Sequence, residues 1–218
     1  MRKDSTLYGA IILAASLVVS VGCGRKESLE GKKERDWRTL ITSRVEKERM
    51  SARQRVMSNR GETIQYLLSV LHSAVEGGEQ FYASTTSRNI AISLLGELRA
   101  KEAAADLTEW LRAKEGQGLK VSDEAAYSPA GEALVQIGLP SVAPLVKVVK
   151  VEPDEGLREQ CVKIIVCIKG LRETELLFED IIAAETDSAK RENLKAADDL
   201  LKDPKFRKIL ENIENRGI

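Results

Sequence analysis

The chain has 218 residues, with 34 basic and 34 acidic side chains and only 4% aromatics. Ala, Leu, Glu, Lys and Arg dominate, while five Pro and fifteen Gly punctuate the sequence, which suits many short helices and argues against a β-sandwich. The zero net charge hides an asymmetry: residues 25–60 carry 12 basic and 6 acidic side chains and residues 61–218 carry 20 and 27, and an acidic body argues against nucleic acid as a partner.

Arg2 and Lys3 precede Leu7 to Gly22, a 16-residue uncharged run with Cys23 directly after it. A charged start, an apolar centre and a small-residue end are the layout of a secretory signal. The run is shorter than the roughly 20 apolar residues that span a bilayer. Val19-Ser20-Val21-Gly22-Cys23 resembles the lipobox of bacterial lipoproteins, in which small residues precede a Cys that becomes diacylated and N-terminal. That resemblance implies a signal peptide over residues 1–22, a lipid on Cys23 and a body held outside the cytoplasm. With Gly24 rather than Asp next, it implies the outer membrane where the cell has one. Ser20 and Gly22 also fit the small-x-small pattern of an ordinary signal cut, so the two processing routes stay open.

Residues 23–34 have one Leu among much charge and are expected to be a flexible tether. Over residues 35–61 we expect an N-terminal capping helix, running unbroken from Asp36 to Met57, with a stripe of Trp37, Leu40, Ile41, Val45, Ala52 and Val56. Its other face carries Arg38, Arg44, Lys47, Arg49, Arg53 and Arg55, which suits either anionic headgroups or the solvated side of a cap. Thr63 to Val75 is the next helix, closed by Gly77-Gly78, and opens a repeat body over residues 62–218. It carries His72, the only His in the chain.

Four 15-residue segments align without gaps from Ser84, Asp123, Asp154 and Asp187, their starts 39, 31 and 33 residues apart. Such a period signals a stacked array. The first residue of each suits a helix N-cap or the loop before one. Seven residues on stand Ala91, Ala130, Cys161 and Leu194; ten on, Leu94, Ala133, Ile164 and Ala197; fourteen on, Leu98, Ile137, Ile168 and Leu201. Those spacings lie on one helical face. The eleventh-following position is Leu95, Leu134, Ile165 and then Asp198, a polar departure expected where a last unit meets water. Second helices are expected over Lys101–Ala113, Ser141–Lys150, Glu173–Glu185 and Pro204–Ile213, with Gly138 and Pro140 marking one turn between first and second helix. The fold expected is all-α, an α-solenoid of about four helical hairpins behind the N-terminal cap.

Asp154-x-x-x-Arg158 followed by Cys161, Ile164, Ile165 and Ile168 and the Glu173 helix is similar to the HEAT-repeat family of the short bacterial, PBS-lyase-like type. Arg88 and Arg191 stand at the same Arg position, whereas Tyr127 replaces it in the second unit. The resemblance covers about residues 62–214 and implies a scaffold rather than a reaction. It implies a polar ladder of Asp154, Arg158, Asp187 and Arg191 between adjacent units. It also implies a concave groove lined by residues such as Asn89, Ser93, Glu159, Lys163, Glu192 and Lys195, open to a protein or peptide.

No catalytic constellation is legible. Gly116-x-Gly118 completes no phosphate-binding motif, and His72 has no second imidazole with which to share a metal. Cys161 and Cys167 lie six apart on one helix, too far for a disulfide, and suit small buried hydrophobes. Two loops suit an exposed contact or simple packing slack: Gly78 to Ala83 with Phe81 and Tyr82, and Lys114 to Ser122 with Leu119. The function expected is a lipid-anchored scaffold at the cell envelope that binds a protein or peptide partner, with no enzyme activity, cofactor, metal or nucleic acid. An envelope enzyme or enzyme accessory on the same scaffold, and a purely structural lipoprotein, are the alternatives.

Overall fold

The computed structural model describes residues 29–75, 85–115 and 128–214. The fold is all-α, with no strand among the described residues. Cys23, Phe81, Tyr82 and Leu119, and the leader itself, lie outside the described residues.

The N-terminal cap departs from the expected single helix. It is a pair, α1 (Leu29–Thr42) and α2 (Glu46–Val56), that fold against each other. A cluster of hydroxyls explains the break. Thr39 and Thr42 donate back to the carbonyls of Arg35 and Arg38, and Ser43 accepts from the Val45 N–H at 3.1 Å and donates to Glu48 at 2.6 Å. These side chains offer the backbone partners outside the helical ladder, so the stripe is interrupted, and Val45, expected on it, is 52% exposed. Arg55 Nε bonds Asp36 Oδ1 at 2.8 Å and closes the pair. The tether expected over residues 23–34 is helical from Leu29 onward, where Glu34 pairs with Arg38 and Lys33 with Glu62. Trp37 is fully buried, with Tyr66 set edge-on at 6.0 Å, which fastens the cap to α3 (Arg60–Val75).

Four hairpins follow. The first is α4 (Thr85–Glu97), a 3-10 turn (Lys101–Ala103) and α5 (Ala104–Glu115). The second is α6 (Pro129–Ile137), a 3-10 turn (Leu139–Ser141) and α7 (Val142–Val151). The third and fourth are α8 (Glu155–Lys169) with α9 (Leu171–Ala184) and α10 (Ser188–Lys202) with α11 (Pro204–Glu214). First helices pack in chain order, α3 on α4, α4 on α6, α6 on α8 and α8 on α10, and α5, α7 and α9 each touch the first helix of the next unit, while α7 also packs on α10 of the fourth unit. The second unit is capped by Ser128, whose side chain accepts from the Gly131 N–H, so its first helix begins five residues later than the repeat frame suggests.

The apolar frame is buried as expected at its seventh, tenth and eleventh positions, while Leu98 and Ile168 at the fourteenth are only partly covered. Asp198 corrects the expectation of a wet outer side, because it is 8% exposed and pairs with Lys202. α10 is packed by α7, α8, α9 and α11, so its eleventh position faces neighbours rather than solvent. Two glycines make turns that a side chain would strain: Gly138 at φ +81° and Gly170 at φ +84°. At Gly138 the chain swings through 118°, and the buried Ser141 hydroxyl locks the turn by donating to the Leu134 carbonyl at 2.9 Å. Among the described residues no single helix is long and apolar enough to cross a membrane.

Candidate functional site

The junctions between hairpins are built alike. Asp154 caps α8 by accepting from the Leu157 N–H at 2.7 Å, and Asp187 caps α10 by accepting from the Ala189 and Lys190 N–H groups. Two residues before each Asp stands a Glu whose side chain accepts the Asp N–H, Glu152 at 3.2 Å and Glu185 at 3.2 Å. Four residues after each Asp stands an Arg that reaches back six residues to a carbonyl at the end of the preceding helix. Arg158 donates to the Glu152 carbonyl at 2.7 Å, and Arg191 Nε to the Glu185 carbonyl at 2.9 Å. Asp203 and Arg207 repeat the device between α10 and α11, with Arg207 Nε on the Leu201 carbonyl at 2.7 Å.

This corrects the implied polar ladder. Among the described residues Asp154 and Asp187 cap their own helices, and Arg158 and Arg191 hold carbonyls of the helix just ended. A guanidinium satisfies C-terminal carbonyls that would otherwise be orphaned, so the geometry is local to each junction. Arg88 does something else: its guanidinium lies 5.3 Å from the ring centroid of the half-buried Trp110. Contact between units is made by Lys150, whose Nζ bonds Glu185 Oε2 at 2.8 Å while its carbonyl accepts from Asn193 Nδ2 at 2.9 Å. The Lys150 ammonium and the Asp187 N–H hold the Glu185 carboxyl below the usual value, and the Lys190 N–H does the same for Asp187. The Asp198 carboxylate raises the Lys202 ammonium above its usual value.

The six residues expected to line one groove are not gathered into one. Asn89, Ser93, Glu192 and Lys195 are exposed on α4 and α10. Glu159 and Lys163 pair with each other at 2.7 Å, and Lys163 Nζ lies 5.6 Å from the Phe206 ring centroid. Because α11 packs on α8, that face is a contact between helices rather than an open channel. Concavity is found elsewhere. One cleft of about 270 Å³ lies between α2 and α4, where Ser93 meets Met50 and Ile90. A larger one of about 630 Å³ lies at the hairpin turns, lined by Arg99, Glu132, Val135, Leu139, Cys167 and Ile168, with Gly138 between them.

The basic face of the cap is largely spent on internal pairs. Arg38, Arg49, Arg53 and Arg55 pair with Glu34, Glu46, Glu97 and Asp36. Arg44 and Lys47 remain exposed. His72 pairs with Asp106 across α3 and α5 at 3.4 Å, both well exposed. Cys161 is buried and Cys167 half-buried, and neither is in a disulfide. Among the described residues no group of three or more His, Cys, Asp or Glu side chains converges as a metal site would need.

No family model, curated protein or solved structure matches this chain. The chemistry of the clefts and junctions is therefore the ground for assigning a role. The recurrent junction was missed as a whole in the sequence, although Glu152-x-Asp154-x-x-x-Arg158 and Glu185-x-Asp187-x-x-x-Arg191 stand there 33 residues apart.

Proposed function

We propose that the protein is an exported, lipid-anchored HEAT-repeat scaffold that binds a protein or peptide partner at the cell envelope. The observation that carries this is the recurrent junction: an Asp cap with an Arg four residues on, donating six residues back, at Arg158, Arg191 and Arg207. One device repeated between successive hairpins, at Arg158 and Arg191, and again inside the last one at Arg207, is what a chain needs in order to stack like units, each burying an apolar stripe on the next. Stacked helical units display long surfaces and shallow clefts, which suit protein or peptide ligands better than a reaction centre. The apolar run ending at Cys23 supports the address.

Fractionation and crosslinking test both parts. The full chain should partition with membranes and take up a metabolic fatty-acid label, and Cys23→Ala should release it and abolish the label. Crosslinking in intact envelopes should yield a discrete adduct with the anchored form. A chain that is membrane-free and unlabelled, or that gives no adduct beyond the Cys23→Ala control, would defeat the proposal.

A further inference from the structure

Four alternate turns, α2–α3, α4–α5, α6–α7 and α8–α9, are linked by contacts. Arg60 donates to the carbonyls of Leu98 and Arg99, joining the α2–α3 turn to the α4–α5 turn, and Arg99, Leu139 and Ile168 from the next turns share the 630 Å³ cleft. Its floor is apolar: Leu139 is 66% exposed, and Val135, Cys167 and Ile168 are half-buried. The turns around it, residues 58–61, 98–102, 138–141 and 168–173, hold Arg60, Arg99, Lys101, Lys169 and Arg172 against Glu102 and Glu173. This is a cationic edge on a body whose residues 61–218 carry seven more acidic than basic side chains.

Folding accounts for Arg60, which holds the Leu98 and Arg99 carbonyls, and for Arg172, which pairs with Glu175 at 3.8 Å, but not for Arg99, Lys101 and Lys169. Lys101 and Arg172 stand at the start of helical segments, where the backbone dipole disfavours a positive charge by about 0.3–1 kcal/mol. The side chains of Arg99, Lys101 and Lys169 make no hydrogen bond or ion pair among the described residues. Arg99 also sits at φ +47°, the one described non-glycine residue with positive φ, in a turn where Gly would be less strained. Backbone strain of this kind is retained where a side chain is needed for something other than stability.

We propose that this cleft docks an acidic peptide segment anchored by a large apolar side chain, a specification that rests on the scaffold function above. The anchor lies over Leu139, Val135 and Ile168, and an adjacent carboxylate meets Arg99. Glu132, which has no ion partner among the described residues, also lines the cleft and repels acids, so the peptide's carboxylate is placed by Arg99.

The test is fluorescence polarisation of the full chain with labelled hexapeptides DELFED, KKLFKK and DEGSED. DELFED should bind at least about tenfold more tightly than either control, and less tightly as salt rises. Leu139→Asp and Arg99→Glu, both on exposed side chains, should each weaken it by about tenfold or more. Arg99→Gly should weaken it while raising Tm, which a merely structural role for Arg99 would not do. Equal binding of KKLFKK, or DELFED binding unchanged by Leu139→Asp and Arg99→Gly, would overturn the proposal. So would co-sedimentation with phosphatidylglycerol–phosphatidylcholine vesicles that Leu139→Asp abolishes while DELFED goes unbound, since the edge would then be a membrane contact. An envelope crosslink that survives Leu139→Asp, with no DELFED bound, would remove this cleft and leave the scaffold standing.

Discussion

Gly96 lies inside α4, where a glycine weakens a helix by roughly 1 kcal/mol relative to alanine. Its place is explained by what a Cβ would meet: the Ala133 Cα at 2.8 Å and the Ala133 Cβ at 3.0 Å, both on α6. Gly96→Ala should therefore lower stability by about 1–3 kcal/mol through overpacking, despite its better helix propensity, as read by urea denaturation. Arg99 shows the opposite sign. The turn there is closed by the Arg99 N–H on the Gly96 carbonyl at 2.7 Å and the Ala100 N–H on the Leu95 carbonyl at 3.0 Å, with Arg99 left-handed between them. Arg99→Gly should gain about 0.5–1 kcal/mol. At Glu185 the carboxyl is held below its ordinary value of 4.5, and at Asp187 below 3.8. Both contributions are complete above those ordinary values and disappear as pH falls through the lowered ones. Stability should then drop as pH falls below about 4.5, and Glu185→Gln should flatten that slope. Among single residues, the capping aspartates were legible because an Asp ahead of an apolar period has one common use. Gly96 was not, since its reason is the position of Ala133 on another helix.

The element that repeats is the junction. Arg158 donates to two successive carbonyls, those of Glu152 and Pro153, where α7 has just ended. Removing it leaves acceptors without a donor, so Arg158→Ala should cost about 1–3 kcal/mol and Asp154→Ala about 0.5–2 kcal/mol. Each loss should appear as a lower denaturation midpoint without a change in helical signal at low denaturant. Helix positions were legible from spacing, because a stripe at intervals of seven, ten and fourteen can only face one way. Breaks were less so. Nothing in the apolar pattern distinguishes a continuous helix over 36–57 from the pair α1 and α2, because Thr39, Thr42 and Ser43 act through hydroxyls that the pattern ignores. Asp198 misled for a related reason. Its burial depends on the packing of α7, α8, α9 and α11 around α10, which the spacing within one helix does not record.

At the scale of the molecule the two edges differ in charge. The turns within hairpins carry the cations around Leu139, whereas the junctions between α7 and α8 and between α9 and α10 carry Glu152, Asp154, Glu155, Glu185 and Asp187. Ionic contacts on such edges weaken with salt, and buried stripes do not. Lys150 ties the second unit to the two that follow, its ammonium to Glu185 at the end of α9 and its carbonyl to Asn193 of α10. Lys150→Met should therefore raise amide hydrogen exchange in α10 and α11 while leaving α4 and α6 protected, since opening spreads first to the elements that the lost contact held. The candidate surface was the least legible part. A groove inferred by analogy was assigned to helix faces, one of which α11 covers, while the open cleft is assembled from turn residues distant in sequence.

The close approach at Gly96 has a mechanical side. Where two backbones come this close, with the Ala133 Cα itself in the path of a Cβ at Gly96, α4 and α6 should move as one stiff block. Further along, the units are held by long side chains such as Lys150 and Arg191, which can stretch and re-form. A tug between the two ends of the chain should therefore loosen the C-terminal hairpins first and leave the middle of the molecule as the fulcrum.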